Sequence, residues 1–232
     1  MIDVVFLDFS GTLVDGEFDV RECRKSAIGI LSSWGHDVSL ADYDRAMEYA
    51  LKERRAARMA GRELTFKRIE TTALRRLGIS PSPRLIAEIE QAEFNQYSWR
   101  MKRGAKEALH RLRSKYRLGI ISNGMTNSAQ LVLDKEGLLP LFEEIVVSKD
   151  VGYRKPDPRI FRYSLTKLCA KAEQTVFVGD SYAQDVLGAK AVGMKTIWLA
   201  ESKSESFPYF DGVAEDIRRV PGLIAALDTG SV

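Results

Sequence analysis

Asp8 ends the first apolar run of the chain, Val4-Val5-Phe6-Leu7, and stands in Asp8-Phe9-Ser10-Gly11-Thr12-Leu13. Three later apolar runs also lead to residues able to do chemistry. Leu118-Gly119-Ile120-Ile121 leads to Ser122-Asn123-Gly124, and Ile145-Val146-Val147 leads toward Gly152-Tyr153-Arg154-Lys155-Pro156-Asp157-Pro158. Val176-Phe177-Val178 leads to Gly179-Asp180-Ser181, with Asp185 just beyond. One site would then gather a nucleophile-like carboxylate, a hydroxyl, a lysine and two further carboxylates. A carboxylate can attack a phosphoryl group and split one hard displacement into two easier steps. Carboxylate oxygens also suit Mg²⁺, a hard cation that keeps several waters and needs few protein ligands. Taken singly, each residue has a blander use as a turn or helix cap. The ordered set is what points to chemistry.

These residues need elements to position them. Short β-rich runs closed by glycine or serine read as buried parallel strands, and ligand sites of open α/β sheets lie at such carboxyl-terminal tips. Strands are expected within residues 1–12 and near 117–122, 144–148, 174–178 and 195–199, alternating with helices such as Gly104 to Lys115. That alternation implies βαβ units. From Gly16 to about Ser98 the pattern is instead helical and strand-poor. Cys23, Ala27, Leu31 and Trp34 recur at helical spacing, as do Ala46, Tyr49, Ala50 and Leu51. Thr65 to Leu77 and Pro83 to about Tyr97 read as two further helices. The expected organisation is a split α/β core over 1–15 and 100–232, with a helical insertion over 16–99 placed to act as a lid. The serine-containing segment Glu201 to Phe207 reads as an exposed loop.

Composition bounds the alternatives. The 232 residues suffice for a sizeable core, and 45% hydrophobic with 29% charged residues is ordinary for a folded chain. Thirty-five basic and 32 acidic residues leave a net charge of +3, which carries no nucleic-acid signature. Cys23 and Cys169 are two isolated cysteines, easier to place in a reducing compartment. No apolar run approaches the roughly 18 residues of a membrane span, and no leader-like segment precedes Asp3. A cytoplasmic chain with no membrane or nucleic-acid partner is expected, as monomer or homodimer.

The four segments, in this order, resemble the motifs of the haloacid dehalogenase superfamily of hydrolases, which act through a covalent aspartyl intermediate. They fall between residues 8 and 185, so the resemblance spans most of the chain. It implies a doubly wound, Rossmann-like parallel sheet with a helical cap inserted after the first strand. By resemblance Asp8 is the nucleophile. Mg²⁺ would be held by Asp8, the Ser10 carbonyl and Asp180, with Asp185 completing the metal site mainly by orienting it and Lys155. Lys155 would hold the charge of Asp8 and of the transferred group. Thr12, Ser122 and the backbone near Phe9 and Asn123 would bind phosphoryl oxygens. The implied activity is Mg²⁺-dependent hydrolysis of a small phosphorylated molecule.

Ser10 departs from the pattern. Phosphatases of the superfamily usually carry an aspartate there, which protonates the leaving oxygen and then activates water. Dehalogenases tend to have tyrosine, phosphonate hydrolases alanine and cation-transporting ATPases threonine. A serine keeps the carbonyl but not a carboxylic acid. Two other readings therefore stay open: metal-free dehalogenation of a 2-haloacid, against which Asp180 counts, and a weakly active relative that binds a phosphorylated ligand. Lys52 is at a tempting place for a Schiff base, yet it lies in a charged run that reads as a solvated helix face. Arg54, Arg55 and Arg58 read as the same charged outer face sooner than as anion ligands. His36 and His110 read as structural or exposed, and Trp34, Tyr49 and Met59 as core of the insertion. Glu17 is the reserve candidate for a general base.

Overall fold

The computed structural model describes residues 1–200 and 209–230. The 201–207 segment therefore lies outside the described residues. In chain order the elements are β1 (Val4–Leu7), β2 (Val14–Phe18), α1 (Val20–Ser33), α2 (Leu40–Met59), α3 (Phe66–Arg76), α4 (Pro83–Phe94) and β3 (Tyr97–Met101). They continue with α5 (Ala105–Arg113), β4 (Arg117–Ser122), α6 (Ser128–Lys135), β5 (Glu144–Val147), α7 (Ser148–Val151), α8 (Pro158–Lys167) and β6 (Thr175–Gly179). A single π turn, Tyr182–Val186, runs into α9 (Leu187–Lys190), followed by β7 (Lys195–Leu199), β8 (Gly212–Ala214) and α10 (Val220–Thr229). The chain divides into two compact units, Met1–Asp15 with Arg100–Val232, and Gly16–Trp99.

The first unit is an α/β fold on a six-stranded sheet ordered β5-β4-β1-β6-β7-β8, with every pair parallel. All four residues of β1 and all five of β6 are buried, which is why these strands are continuous apolar runs. Phe6 stands in register with Gly119 on one side and Phe177 on the other. Gly119 is required there, because a Cβ would drive into the Phe6 ring. Beneath the sheet, Phe177 meets Phe161 of α8 edge to face at 5.4 Å, in a core shared with Ile121, Val146, Ile160 and Met194. Truncating either ring would cost roughly 3–5 kcal/mol. The order places β1 between β4 and β6, so the tips of these three strands converge where the winding reverses.

The second unit packs α1 against α4 and α2 against α3. Each helix starts on a side-chain cap: Asp19, Ser39, Thr65 and Ser82 accept from backbone N–H groups of the first turn. Its interior holds Ala27, Leu31, Ala46, Ile69, Leu74 and Ile89 together with a polar knot, in which the Tyr43 hydroxyl donates to fully buried Glu70 at 2.7 Å. Arg24 meets Glu93 at 3.5 Å and Asp44 at 3.4 Å. Three expectations fail in this unit. Trp34, Tyr49 and Met59 are exposed instead of forming core, Met59 at 92%. Trp34 carries Arg84 over its ring and donates to Glu88, and Tyr49 lies under Arg76, so the apolar spacing reflects rings covered by guanidinium groups. The last helix ends at Phe94, short of Tyr97, because Tyr97 belongs to β3. β2 and β3 pair as a second, two-stranded sheet in a region expected to be strand-poor. No helix among the described residues is long and apolar enough to cross a membrane.

Candidate active site

The turn after β1 builds the first half of the site. Leu13 N–H donates to the Phe9 carbonyl at 2.9 Å and Gly11 N–H to the Val14 carbonyl at 2.8 Å, curling the chain so that Asp8 stays buried while Ser10 is exposed. The Ser10 carbonyl is not among the acceptors of these turn bonds. Gly11 has φ +88°, and a Cβ there would collide with the Asp180 carboxylate. The glycine thus lets the tips of β1 and β6 close on each other. Thr12, expected to touch substrate, is instead fully buried and donates its hydroxyl to Asp180 Oδ1 at 3.3 Å.

The second half centres on Lys155, only 2% exposed. Its Nζ lies 2.6 Å from Asp8 Oδ1 and 2.6 Å from Asp185 Oδ1, and 5.1 Å from the centre of the Phe177 ring. Asn123, at the tip of β4, fixes the lysine backbone from both sides. Its Oδ1 accepts from Lys155 N–H at 2.8 Å, and its Nδ2 donates to the Lys155 carbonyl at 3.0 Å and to Gln184 Oε1 at 2.7 Å. Asp185 projects from the π turn after β6, a rare backbone form that recurs at functional sites. Its Oδ2 accepts from Ser181 N–H at 2.9 Å, and Gly179 leaves room for it, since a Cβ would strike the carboxylate. The Asp180 carbonyl is pinned by Trp198 Nε1 at 2.9 Å. Ser122 is buried at the end of β4, and its hydroxyl has no side-chain hydrogen bond among the described residues.

Charge in the cluster is unbalanced. Asp8, Asp180 and Asp185 each offer an oxygen within 4.8 Å of the others, facing the single ammonium of Lys155. Burial pushes the Asp8 carboxyl up to about 7 against the pull of Lys155, with Asp185 adding to the rise. Asp180 is raised too, by burial and then by Asp185. Burial works downward on Lys155, but Asp185 and Asp8 outweigh it and hold the lysine above its ordinary value. With all three carboxyls ionised, three carboxylates against one ammonium leave two negative charges for a divalent cation to offset, and the oxygen-only donor set is the kind Mg²⁺ takes. The residues present therefore fit the metal.

The remaining candidates are not in this cluster. Arg54 and Arg58 are not a solvated face: both turn onto buried Glu63, at 3.0 and 3.5 Å. Lys52 and Arg55 are exposed on α2, His36 is half-buried, and His110 is exposed on α5. Glu17 lies exposed in β2 of the second unit. Reading by residue type missed Gly11, Gly179, Gln184 and Trp198. The available signals were Gly11 and Gly179 inside the motifs, Gly179 standing directly before Asp180.

A model of haloacid dehalogenase-like hydrolases matches residues 2–193. The chain belongs to that family. Among curated relatives of this haloacid dehalogenase-like hydrolase, the glyceraldehyde 3-phosphate phosphatase of Pyrococcus furiosus is 31% identical over 235 residues, covering 98% of this chain and 93% of the relative. A 2-haloacid dehalogenase from Pseudomonas syringae pv. Tomato DC3000 shares the fold at a TM-score of 0.69 and 21% identity, covering 98% of this chain and all of the other. A phosphatase of the same family from Thermococcus onnurineus shares it at 0.61 and 24%, covering 97% and 98%. The Rossmann-like core is common to this chain and the two solved structures.

Proposed function

We propose that this hydrolase cleaves small phosphate monoesters through an aspartyl phosphate on Asp8, with Mg²⁺ as cofactor. The observation that carries the reading is the cluster of Asp8, Asp180 and Asp185 about one buried lysine, whose surplus negative charge calls for a divalent cation. Metal-free displacement of halide would leave that surplus unanswered. The phosphatase relative supports the same class of substrate.

In the first half-reaction an Asp8 oxygen attacks phosphorus, the P–O bond to the leaving group breaks, and the alkoxide takes a proton from solvent water. Lys155 holds the attacking carboxylate in place and offsets its charge, and the free hydroxyl of Ser122 donates to a phosphoryl oxygen. In the second, water attacks the acyl phosphate, freeing inorganic phosphate and restoring Asp8. Mg²⁺ would be held by Asp8, Asp180 and the Ser10 carbonyl, with Asp185 orienting Lys155, and when bound it neutralises charge on the phosphoryl oxygens. Ser10 has no carboxylic acid to shuttle the proton in either half-reaction. Two free cysteines, one of them exposed Cys169, favour a reducing cytoplasm for this enzyme.

The test is a panel of aryl and alkyl phosphates and 2-haloacids, with Mg²⁺ or with EDTA. Phosphate release that needs Mg²⁺ and disappears in Asp8→Asn is the expected result. Halide release indifferent to EDTA would install dehalogenation instead, and ligand binding without turnover would make the chain a phospho-ligand binder.

A further inference from the structure

A cleft of about 510 Å³, lined wholly by the first unit, takes in Gly11 and Asp180 of the carboxylate cluster and also Arg100, Lys102, Arg103 and Arg218. Asp180 offers an oxygen within 4.8 Å of one from Asp8, so the cleft opens beside the carboxylates that would face the phosphorus, where a leaving group needs space. Most of its charges are already matched. Lys102 pairs with Asp15 at 3.4 Å, and Glu215 with Arg219 at 3.4 Å. Arg218 grips Asp216 through two nitrogens, at 3.0 and 2.6 Å, and its stem lies against Gly104, where a Cβ would collide with it. Arg100 and Arg103 are both exposed, and neither has a carboxylate partner among the described residues. The lining thus presents, among the described residues, two guanidinium groups without a carboxylate partner in the same cleft as Asp180. A planar fork of donors matches a carboxylate or phosphate better than a neutral hydroxyl or carbonyl.

We infer that Arg100 and Arg103 receive a second anionic group of the substrate, so that the preferred esters carry a carboxylate or a second phosphate on the leaving group. This rests on the phosphatase reading above. It differs from what the name of the Pyrococcus relative implies for that protein, whose leaving group is an uncharged aldehyde.

The experiment compares kcat/KM for three short esters with Mg²⁺: glycerol 3-phosphate, 3-phosphoglycerate and propane-1,3-diol bisphosphate, with an aryl phosphate alongside. At least one of the two esters with a second anionic group should exceed glycerol 3-phosphate by about tenfold, the size of a charge-assisted pair near solvent. Which one does so identifies the second anion. That ratio should fall toward one in the Arg100→Gln/Arg103→Gln double variant and survive in part in Arg103→Lys, which keeps the charge. It should also shrink as salt screens the pair. Aryl phosphate turnover with no preference among the three esters, or a preference that persists in the double variant, overturns the inference and leaves the phosphatase reading intact. No turnover of any ester overturns both.

Discussion

Ser10 is where this chain departs most from its family, and its surroundings make the departure testable. It sits two residues past Asp8, exposed, with its carbonyl outside the turn bonds. An aspartate at this exposed position would lose little hydration. A leaving group as good as an aryl alkoxide needs little protonation, so formation of the aspartyl phosphate can proceed with serine. Attack by water lacks its base, so breakdown should limit the rate and phosphoenzyme should accumulate. Ser10→Asp should then raise kcat, by up to ~10²–10⁴-fold. Rapid-quench measurement of hydroxylamine-labile phosphate on Asp8 checks this; no burst in the parent and no gain in the variant would mean that another group supplies the base. Asn123 teaches a different lesson at the same scale. The resemblance assigned the backbone near this residue to phosphoryl oxygens, while its side-chain amide, given no part in advance, is committed to the Lys155 backbone and Gln184. That commitment joins residues 123, 155 and 184, which no local pattern links.

At the scale of elements, the strands were legible where both faces are buried. β1, β4 and β6 announce themselves as apolar runs, and each ends on a residue of the site. β2, with four of its five residues exposed, and three-residue β8 carry no such run and were missed. The π turn was equally invisible, because it depends on how Asp185 must reach Lys155 rather than on propensity. Among the helices, the polar knot gives α3 a pH signature. Burial raises Glu70 to about 7, with Glu93 of α4 adding to the rise and Tyr43 of α2 and Arg24 of α1 opposing it. A carboxyl raised in the fold binds its proton more tightly folded than unfolded. Its contribution is therefore fully present below the unfolded value of 4.5 and lost as pH rises through about 7. Above that, ionising Glu70 in the interior costs on the order of 3 kcal/mol. Glu70→Gln keeps an oxygen for the Tyr43 hydroxyl and carries no charge. Urea midpoints should show the variant more stable than the parent at pH 8 and level with it at pH 4.5. An equal loss at both values would mean that packing, not ionisation, sets the role of Glu70.

On the scale of the whole molecule, the division into two units separates two kinds of stabilisation. The carboxylate cluster lies entirely in the unit formed by 1–15 and 100–232, whereas Glu70 lies in the unit of 16–99. A ligand that binds only the folded state adds roughly 2.7 kcal/mol at a hundred times its Kd. For a chain of this size that is an upward shift of about 5–10 °C in the transition it controls. Mg²⁺ should therefore raise the melting temperature of the catalytic unit relative to EDTA. Asp180→Asn should remove most of that rise, because it deletes one of the three converging carboxylates while the amide can still accept from Thr12. The rise should be the same in Glu70→Gln as in the parent, since Glu70 belongs to the other unit and sites that share no partner contribute additively. Calorimetry of the full chain and the two variants, each with Mg²⁺ and with EDTA, reads all three quantities without any substrate. If Asp180→Asn keeps the whole shift, the ion binds elsewhere, and the surplus charge at Asp8, Asp180 and Asp185 must be met by protonation of the buried carboxyls instead.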